Sequence, residues 1–126
     1  MTARRVLIID DKKDTVLTLQ RLLQLLDYEV DVAFDGKSGI EKARIFRPEV
    51  VLCDIGLPGE ADGYAVAHIL RKSEQFRTTF LIAVTGYGSE NDKQRAREAG
   101  FDLFLTKPID AIALTKIISD RFVDTS

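Results

Sequence analysis

The amino-acid sequence predicts an α/β fold, with a five-stranded parallel sheet covered by helices on both faces. Short apolar runs typical of buried strands alternate with stretches whose apolar residues recur at helical spacing, and this unit occurs five times. Strict alternation of strands and helices favours a parallel sheet with right-handed crossovers. A chain of 126 residues, 45% of them hydrophobic, is long enough for one core and leaves little room for a second. We therefore expect residues 1–126 to form a single domain.

The bounds of the predicted elements follow from apolar runs and from residues that begin or end helices. Asp14, Ser89 and Asp110 are of the types that cap helix N-termini, and Gly100 suits a helix C-terminus. The strands are predicted over residues 6–9, 29–34, 50–53, 80–84 and 103–105. The helices are predicted over residues 14–26, 37–46, 64–72, 89–99 and from 110 onward.

Composition and charge argue against several classes of function. The formal net charge of −2 does not suit a surface built for nucleic acid, which needs a basic excess. A single cysteine, Cys53, rules out an internal disulfide and a cysteine-based zinc site, and it suits a reducing compartment. No apolar stretch approaches the roughly 20 residues of a membrane span. We expect a cytoplasmic protein that binds neither nucleic acid nor membrane.

Polar residues follow the apolar strands at four places. Asp10 and Asp11 come after the first strand, and Asp54 comes after the third. Thr85 follows the fourth strand, and Lys107 lies just beyond the fifth. In a parallel sheet these strand ends meet at one edge, which is where open α/β sheets bind their ligands. The sequence therefore predicts that three carboxylates, a hydroxyl and a lysine converge in one crevice.

Each of these groups has a chemical use there. Two carboxylates about 4 Å apart repel by roughly 4 kcal/mol at an effective dielectric of 20, and a hard divalent cation relieves that repulsion. Mg²⁺ typically binds to a protein through few side chains and keeps several of its waters. A carboxylate also serves as a nucleophile that forms an acyl phosphate. Lys107 and Mg²⁺ would then supply positive charge to the moving phosphoryl oxygens.

The sequence resembles the receiver domain of two-component response regulators, in particular chemotaxis-regulator-like receivers, over essentially its whole length. The segments that carry the resemblance are LIIDD (residues 7–11), VVLCDIGLPG (50–59), LIAVTGYGS (81–89) and LTKP (105–108). The resemblance implies a flavodoxin-like sheet with the strand order 2-1-3-4-5. It also implies a phosphorelay function, in which a histidine kinase or a histidine phosphotransfer protein donates a phosphoryl group and a downstream partner reads the result. Such a protein is not a classical enzyme, although it catalyses its own phosphorylation and dephosphorylation.

The resemblance also implies roles for individual residues. Asp54 matches the phosphorylated aspartate, Asp11 a direct ligand of Mg²⁺, and Asp10 a residue that acts on the metal mainly through water. It further implies that Gly56 offers its backbone carbonyl to the metal, that Lys107 pairs with the phosphoryl group and that Thr85 hydrogen-bonds that group. Thr85 and Phe104 match the switch positions, and the peptide bond before Pro108 is expected to be cis.

One segment departs from the family pattern. The loop from Pro58 to Gly63 carries one residue more than usual, so it should bulge beside the acceptor. The positions two residues after the acceptor and two after the threonine are Gly56 and Tyr87. Neither is expected to orient a water for hydrolysis, so a fairly long-lived phosphorylated state is expected.

Two other functions stay open at this point. An aspartyl-phosphate hydrolase acting on a small molecule would also use an aspartate nucleophile and Mg²⁺. Such an enzyme would normally need a general acid near Asp54 and a cap that encloses the substrate. An interaction module that no longer takes phosphate would not need the intact set of polar residues. Because the chain ends after the fifth helix, no output domain is expected. A free-standing regulator and a receiver from a hybrid histidine kinase, which the segment VTGYGS resembles, both remain possible.

Two residues are expected to be ordinary. His68 is the only histidine and lies on the third predicted helix, away from the strand ends, so the donor histidine should be on another protein. Cys53 precedes Asp54 on a strand and should point to the opposite side as a small core residue.

Overall fold

The structure is a computed structural model that describes residues 4–86 and 88–122. Within these residues, five strands alternate with five α-helices, as the sequence predicts. The strands are β1 (Arg5–Ile9), β2 (Glu29–Ala33), β3 (Val50–Asp54), β4 (Phe80–Thr85) and β5 (Leu103–Thr106). The helices are α1 (Lys13–Leu25), α2 (Gly36–Phe46), α3 (Gly63–Arg71), α4 (Glu90–Ala99) and α5 (Ala111–Arg121). A short 3₁₀ helix, Glu74–Phe76, precedes β4 and was not predicted.

The strands form one parallel sheet in the order β2-β1-β3-β4-β5, which confirms the predicted fold class and strand order. The sheet register sets the positions of the polar strand ends. Ile9 pairs with Cys53, so the residues that follow each of them lie side by side. Thr85 pairs with Thr106, which brings the ends of β4 and β5 to the same edge.

Alternate strand residues pack into two hydrophobic cores, one on each face of the sheet. Ile8 and Leu52 face α1 and α5. Leu7 and Val51 face α2, α3 and α4. Complete burial of one aliphatic side chain contributes about 1.5–3 kcal/mol, so both faces must be covered for the sheet to be stable. Among the described residues, no helix has both the length and the apolar character that crossing a membrane requires.

The predicted N-cap of the first helix is wrong. Lys12 is the N-cap residue of α1, and Asp14 lies inside the first turn. The reason is local: the Asp10 carboxylate accepts a hydrogen bond from the backbone N–H of Lys12 at 3.0 Å, so the chain turns directly after β1. Asp14 still suits its position, because an acidic residue in the first turn interacts favourably with the helix dipole.

The other helix ends follow their capping residues closely. Ser89 caps α4 and Asp110 caps α5 through side-chain hydrogen bonds, as predicted. Gly100 ends α4 with a φ of +117°, a left-handed conformation that favours glycine. Asp35 and Asp62 cap α2 and α3, and each of these helices therefore begins one residue before its predicted start.

Candidate functional site

Three carboxylates meet at the carboxyl edge of the sheet. Asp10 and Asp11 follow β1, and Asp54 is the last residue of β3. One oxygen from each residue lies within 4.8 Å of the other two. Asp10 and Asp54 are buried, with 6% and 8% of their surface exposed, whereas Asp11 is exposed at the rim. The group, called the acidic cluster below, therefore has two sheltered carboxylates and one that faces water.

Lys107 lies against the acidic cluster. Its Nζ is 3.0 Å from Asp10 Oδ2 and 3.3 Å from Asp54 Oδ2. The backbone N–H of Lys107 donates to the carbonyl of Thr85 at 2.7 Å, so the start of this segment is tied to the end of β4. The peptide bond between Lys107 and Pro108 is cis. The lysine ammonium thus bridges two carboxylates, while the structure shows no such contact between Lys107 and Asp11 among the described residues.

The environment raises the pKa values of both Asp54 and Lys107. Burial raises the pKa of Asp54, and the charge of Asp10 adds to the effect, although the Gly56 N–H and Lys107 oppose it. Burial disfavours the charged form of Lys107, but its hydrogen bond to Asp10 and the charge of Asp54 outweigh this and raise its pKa. Lys107 therefore remains a cation at neutral pH and can pair with anionic oxygens.

The turn after β3 supports the Asp54 carboxylate. The Gly56 N–H donates to Asp54 Oδ1 at 3.1 Å. A Cβ built on Gly56 would meet only that same oxygen, at 3.8 Å, so this position has room for a side chain directly beside the Asp54 carboxylate. The two Asp54 oxygens thus have different partners, a backbone amide for Oδ1 and the Lys107 ammonium for Oδ2.

Gly63 packs against the end of β3 in a way that the sequence did not reveal. A Cβ at Gly63 would lie 2.5 Å from the Asp54 carbonyl oxygen and 2.6 Å from the Ile55 Cα, so a larger residue would displace backbone. In the same loop, Pro58, Gly59 and Glu60 are exposed. The Asp-Gly pair at the start of α3 was the available signal, but it is also an ordinary way to begin a helix.

Thr85 and Phe104 lie on neighbouring strands and on the same face of the sheet. Thr85 ends β4 and is 8% exposed. Phe104 pairs in register with Ala83 and is half-buried beside Ala96 and Phe101. These aromatic and apolar residues line a groove of about 250 Å³ between α4 and β5. The two predicted switch residues therefore connect the edge of the acidic cluster to the α4 side of the domain.

A larger groove of about 620 Å³ runs from the acidic cluster along α1 to the segment after β5. Leu19 and Leu22 form its α1 side, and Pro108 and Ile109 form the opposite side. Sequence reasoning did not identify this groove, because it depends on how α1 and the β5–α5 connection pack.

Two residues that the sequence analysis set aside, His68 and Cys53, have no place in the acidic cluster itself. His68 is exposed on α3. Cys53 is completely buried in the core that faces α2–α4, and burial raises the pKa of its thiol. Tyr87, the position two residues after Thr85, lies outside the described residues.

With this fold and this edge of the sheet, the chain belongs to the response regulator receiver domains. The family description "Response regulator receiver domain" matches residues 6–119. The protein is thus a component of two-component signalling.

Two characterised relatives show how the chain compares along its length. It is 33% identical over 110 residues to the response regulator PleD of Caulobacter vibrioides, covering 87% of this chain and 24% of PleD. The chain thus spans about a quarter of the length of PleD. It is 29% identical over 122 residues to the polar-differentiation response regulator DivK of Brucella anthropi, covering 97% of this chain and 92% of DivK.

Solved structures agree with the fold. The chemotaxis protein CheY4 of Vibrio cholerae superposes with a TM-score of 0.89 at 27% identity, covering 95% of this chain and 99% of CheY4. The receiver domain of the sensor histidine kinase PA1611 of Pseudomonas aeruginosa has a TM-score of 0.84 at 26% identity, covering 94% of this chain and 96% of that domain. That domain was solved with a magnesium ion coordinated in its active site cleft.

Proposed function

We propose that this protein accepts a phosphoryl group on Asp54 from a phosphohistidine of a partner protein, in a site that uses Mg²⁺. One observation carries the proposal. Asp54 is a buried carboxylate at the end of the central strand, with the Lys107 ammonium 3.3 Å away and two further carboxylates beside it. This combination provides a nucleophile, a fixed cation and a set of hard oxygen ligands in one place.

The transfer forms one bond and breaks one. A carboxylate oxygen of Asp54 bonds to phosphorus as the bond between phosphorus and the donor histidine nitrogen breaks, and the nitrogen keeps the electron pair. The Gly56 N–H holds the Asp54 carboxylate in one orientation, which is the kind of positioning on which this reaction depends. Lys107 would turn from the carboxylates to the negative phosphoryl oxygens, and the Thr85 hydroxyl would donate to one of them.

The donor set suits Mg²⁺. Three carboxylate oxygens within 4.8 Å of one another are hard ligands, and the exposed position of Asp11 leaves space for the waters that Mg²⁺ retains. We propose that Asp11, Asp54 and the Gly56 backbone carbonyl hold the ion directly and that Asp10 holds it mainly through water. When bound, the ion supplies positive charge that offsets the carboxylates and the phosphoryl oxygens. The magnesium ion in the PA1611 receiver domain supports this assignment.

We propose a histidine kinase or a histidine phosphotransfer protein as the donor, and a separate downstream protein as the reader of the phosphorylated state. The signal would pass through Thr85 and Phe104 to the surface around α4. The half-buried position of Phe104 beside the groove supports this route, since its ring has space to move. We further propose that residues 1–126 are a single receiver domain that works in the cytoplasm as a signalling module rather than as a classical enzyme.

The test is phosphorylation by a small phosphodonor with Mg²⁺ and by a panel of phosphorylated histidine kinases. The wild-type protein should gain one phosphoryl group, and Asp54→Asn should gain none. Asp14→Asn is the matched control, because it makes the same chemical change at an exposed residue outside the acidic cluster. Uptake by Asp54→Asn at the wild-type rate would disprove the assignment of the acceptor.

A further inference from the structure

Helix α4 buries little of its own surface. The structure describes all ten residues of α4, and Ala96 is its one buried side chain. Several of its polar groups bond within the helix, as Gln94 does to Glu98 and Arg97 does to Gln94. Burial of an apolar face supplies most of the stability of a helix in a protein, so α4 is held to the sheet by few interactions.

Arg95 provides a contact from α4 to α3. Its guanidinium carbon lies 4.2 Å from the centroid of the Tyr64 ring, which is within the range of an attractive cation–π interaction. Tyr64 is half-buried and packs against the core that faces α2–α4, so one side of its ring is held by that packing. The acidic groups near the ring are Asp62 and Asp92, which favour a cation at this place.

The Tyr64 end of this contact is joined to the phosphoacceptor. Tyr64 follows Gly63, which lies so close to Asp54 that a Cβ there would be 2.5 Å from the Asp54 carbonyl oxygen. The Gly63 N–H also donates to the Ile55 carbonyl at 3.0 Å. The first turn of α3 therefore cannot shift without moving the backbone at the acceptor, whereas α4 can shift at small cost.

We infer that the Arg95–Tyr64 contact is a latch that holds α4 in its resting position, so that these two residues set how readily the receiver switches. The inference rests on the proposed phosphorylation of Asp54. The movement of α4 through Thr85 that is proposed above would separate Arg95 from Tyr64, because the first turn of α3 stays with Asp54. A contact made only in one of two states lowers the apparent affinity of a ligand that favours the other state. Loosening the latch should therefore favour the phosphorylated arrangement.

The first experiment needs no phosphoryl group. Amide hydrogen exchange across α4 should be about two- to fivefold faster in Arg95→Gln than in the wild type, as expected from the modest free energy of an exposed cation–π contact. Arg97→Gln is the matched control, since it removes the same charge from the same helix, and within the described residues its side-chain bond is to Gln94 of α4 itself. Equal exchange rates in Arg95→Gln and Arg97→Gln would overturn the latch.

The second experiment measures the apparent affinity for beryllofluoride, a mimic of the phosphoryl group, in excess Mg²⁺. Arg95→Gln and Tyr64→Leu should each tighten binding about two- to fivefold, and the double variant should bind no tighter than either single variant. Tyr64→Phe keeps the ring and Arg95→Lys keeps the cation, so both should stay close to the wild type. Additive effects in the double variant would overturn the inference.

The latch can be tested even where one of these variants or the mimic fails. Should Tyr64→Leu fail to fold, the comparison of Arg95→Gln with Arg97→Gln decides the question alone. Should the wild type bind no beryllofluoride, the proposed phosphorylation fails, and the exchange rates of α4 still support or overturn the latch.

Discussion

Neutralising Asp11 should make the metal-free protein more stable. Its carboxylate oxygen lies within 4.8 Å of carboxylate oxygens of Asp10 and Asp54. Lys107 pairs with Asp10 and Asp54 at 3.0 and 3.3 Å, and no ion pair to Asp11 occurs in the described part of the chain. Of the three acidic residues, Asp11 is thus the one that adds negative charge without a lysine contact of its own.

The magnitude follows from the distance and the exposure. Two unit charges 4.8 Å apart repel by about 1 kcal/mol in water and by roughly 3.5 kcal/mol at an effective dielectric of 20. Asp11 is exposed, so the lower figure applies more nearly, and the charge of Lys107 offsets part of the repulsion from both neighbours. We therefore expect Asp11→Asn to raise the free energy of unfolding by about 1 kcal/mol and the Tm by roughly 3–5 °C.

The assay is denaturant unfolding in a metal chelator, with two comparison variants. Asp14→Asn is the matched control, because Asp14 is exposed and lies outside the acidic cluster, and it should give no gain. Asp10→Asn should gain less than Asp11→Asn, because it also removes the ion pair that Lys107 makes at 3.0 Å. Raising the salt concentration should shrink the gain of Asp11→Asn, since exposed charges are screened.

Magnesium should reverse the ranking of the variants. Saturating Mg²⁺ stabilises a protein that binds it in the folded state alone, so the wild type should gain stability while Asp11→Asn gains almost none. A metal-free Asp11→Asn protein that is no more stable than the wild type would refute the reasoning on repulsion. An equal gain from Mg²⁺ in both proteins would refute the role of Asp11 as a ligand.

Within the described residues the sequence predicted every strand and α-helix, and its errors at the carboxyl ends of β3, β4 and β5 have one physical cause. The apolar runs end before Asp54, Thr85 and Thr106, so the predicted strands stop one residue short of each. Strand pairing depends on backbone hydrogen bonds, which continue through polar residues as long as the register holds. Asp54 pairs with Val84 in this way, and Asp54 is thereby held within the sheet rather than on a loop.

The strand order needed more than the alternation of strands and helices. Alternation predicts a parallel sheet, but it does not say which strand takes the centre. The resemblance of the strand-end segments to receiver domains supplied the order, and the structure confirms it. The misplaced N-cap at Asp14 shows the same limit at short range, because the deciding interaction is the hydrogen bond from the Lys12 N–H to Asp10.

The groups that gather at the site could be named from the sequence, whereas their pairing could not. Which carboxylate Lys107 approaches more closely depends on differences of a few tenths of an ångström, 3.0 Å to Asp10 against 3.3 Å to Asp54. The contact between Arg95 and Tyr64 could not be predicted from the sequence either, because it depends on how α3 and α4 are placed along each other. Spacing along one helix carries no information about that placement.

Three further tests concern the turn after β3 and the end of β4. Gly63→Ala should destabilise the protein by about 1–3 kcal/mol in denaturant melts, because its Cβ would lie 2.5 Å from the Asp54 carbonyl oxygen, whereas Gly56→Ala should be close to neutral. Thr85→Ala should still accept the phosphoryl group but lose most of the resulting shift in amide spectra of α4 and β5, and an unchanged shift would remove Thr85 from the mechanism. The phosphoryl lifetime should depend on what stands at Gly56, because hydrolysis needs a water in line with the bond from Asp54 to phosphorus and glycine orients none. A side chain at Gly56 begins 3.8 Å from Asp54 Oδ1, so the amide of Gly56→Asn can reach such a water. The double variant Gly56→Asn, Tyr87→Glu should shorten the phosphoryl lifetime about tenfold, which corresponds to lowering the barrier by roughly 1.4 kcal/mol. The lifetime is measured as the decay of the phosphorylated protein after donor removal, in excess Mg²⁺. Gly56→Ala distinguishes access of water from orientation of water, because it adds bulk without a polar group. Equal decay of the alanine variant and the double variant would show that access of water, and not its orientation, sets the lifetime.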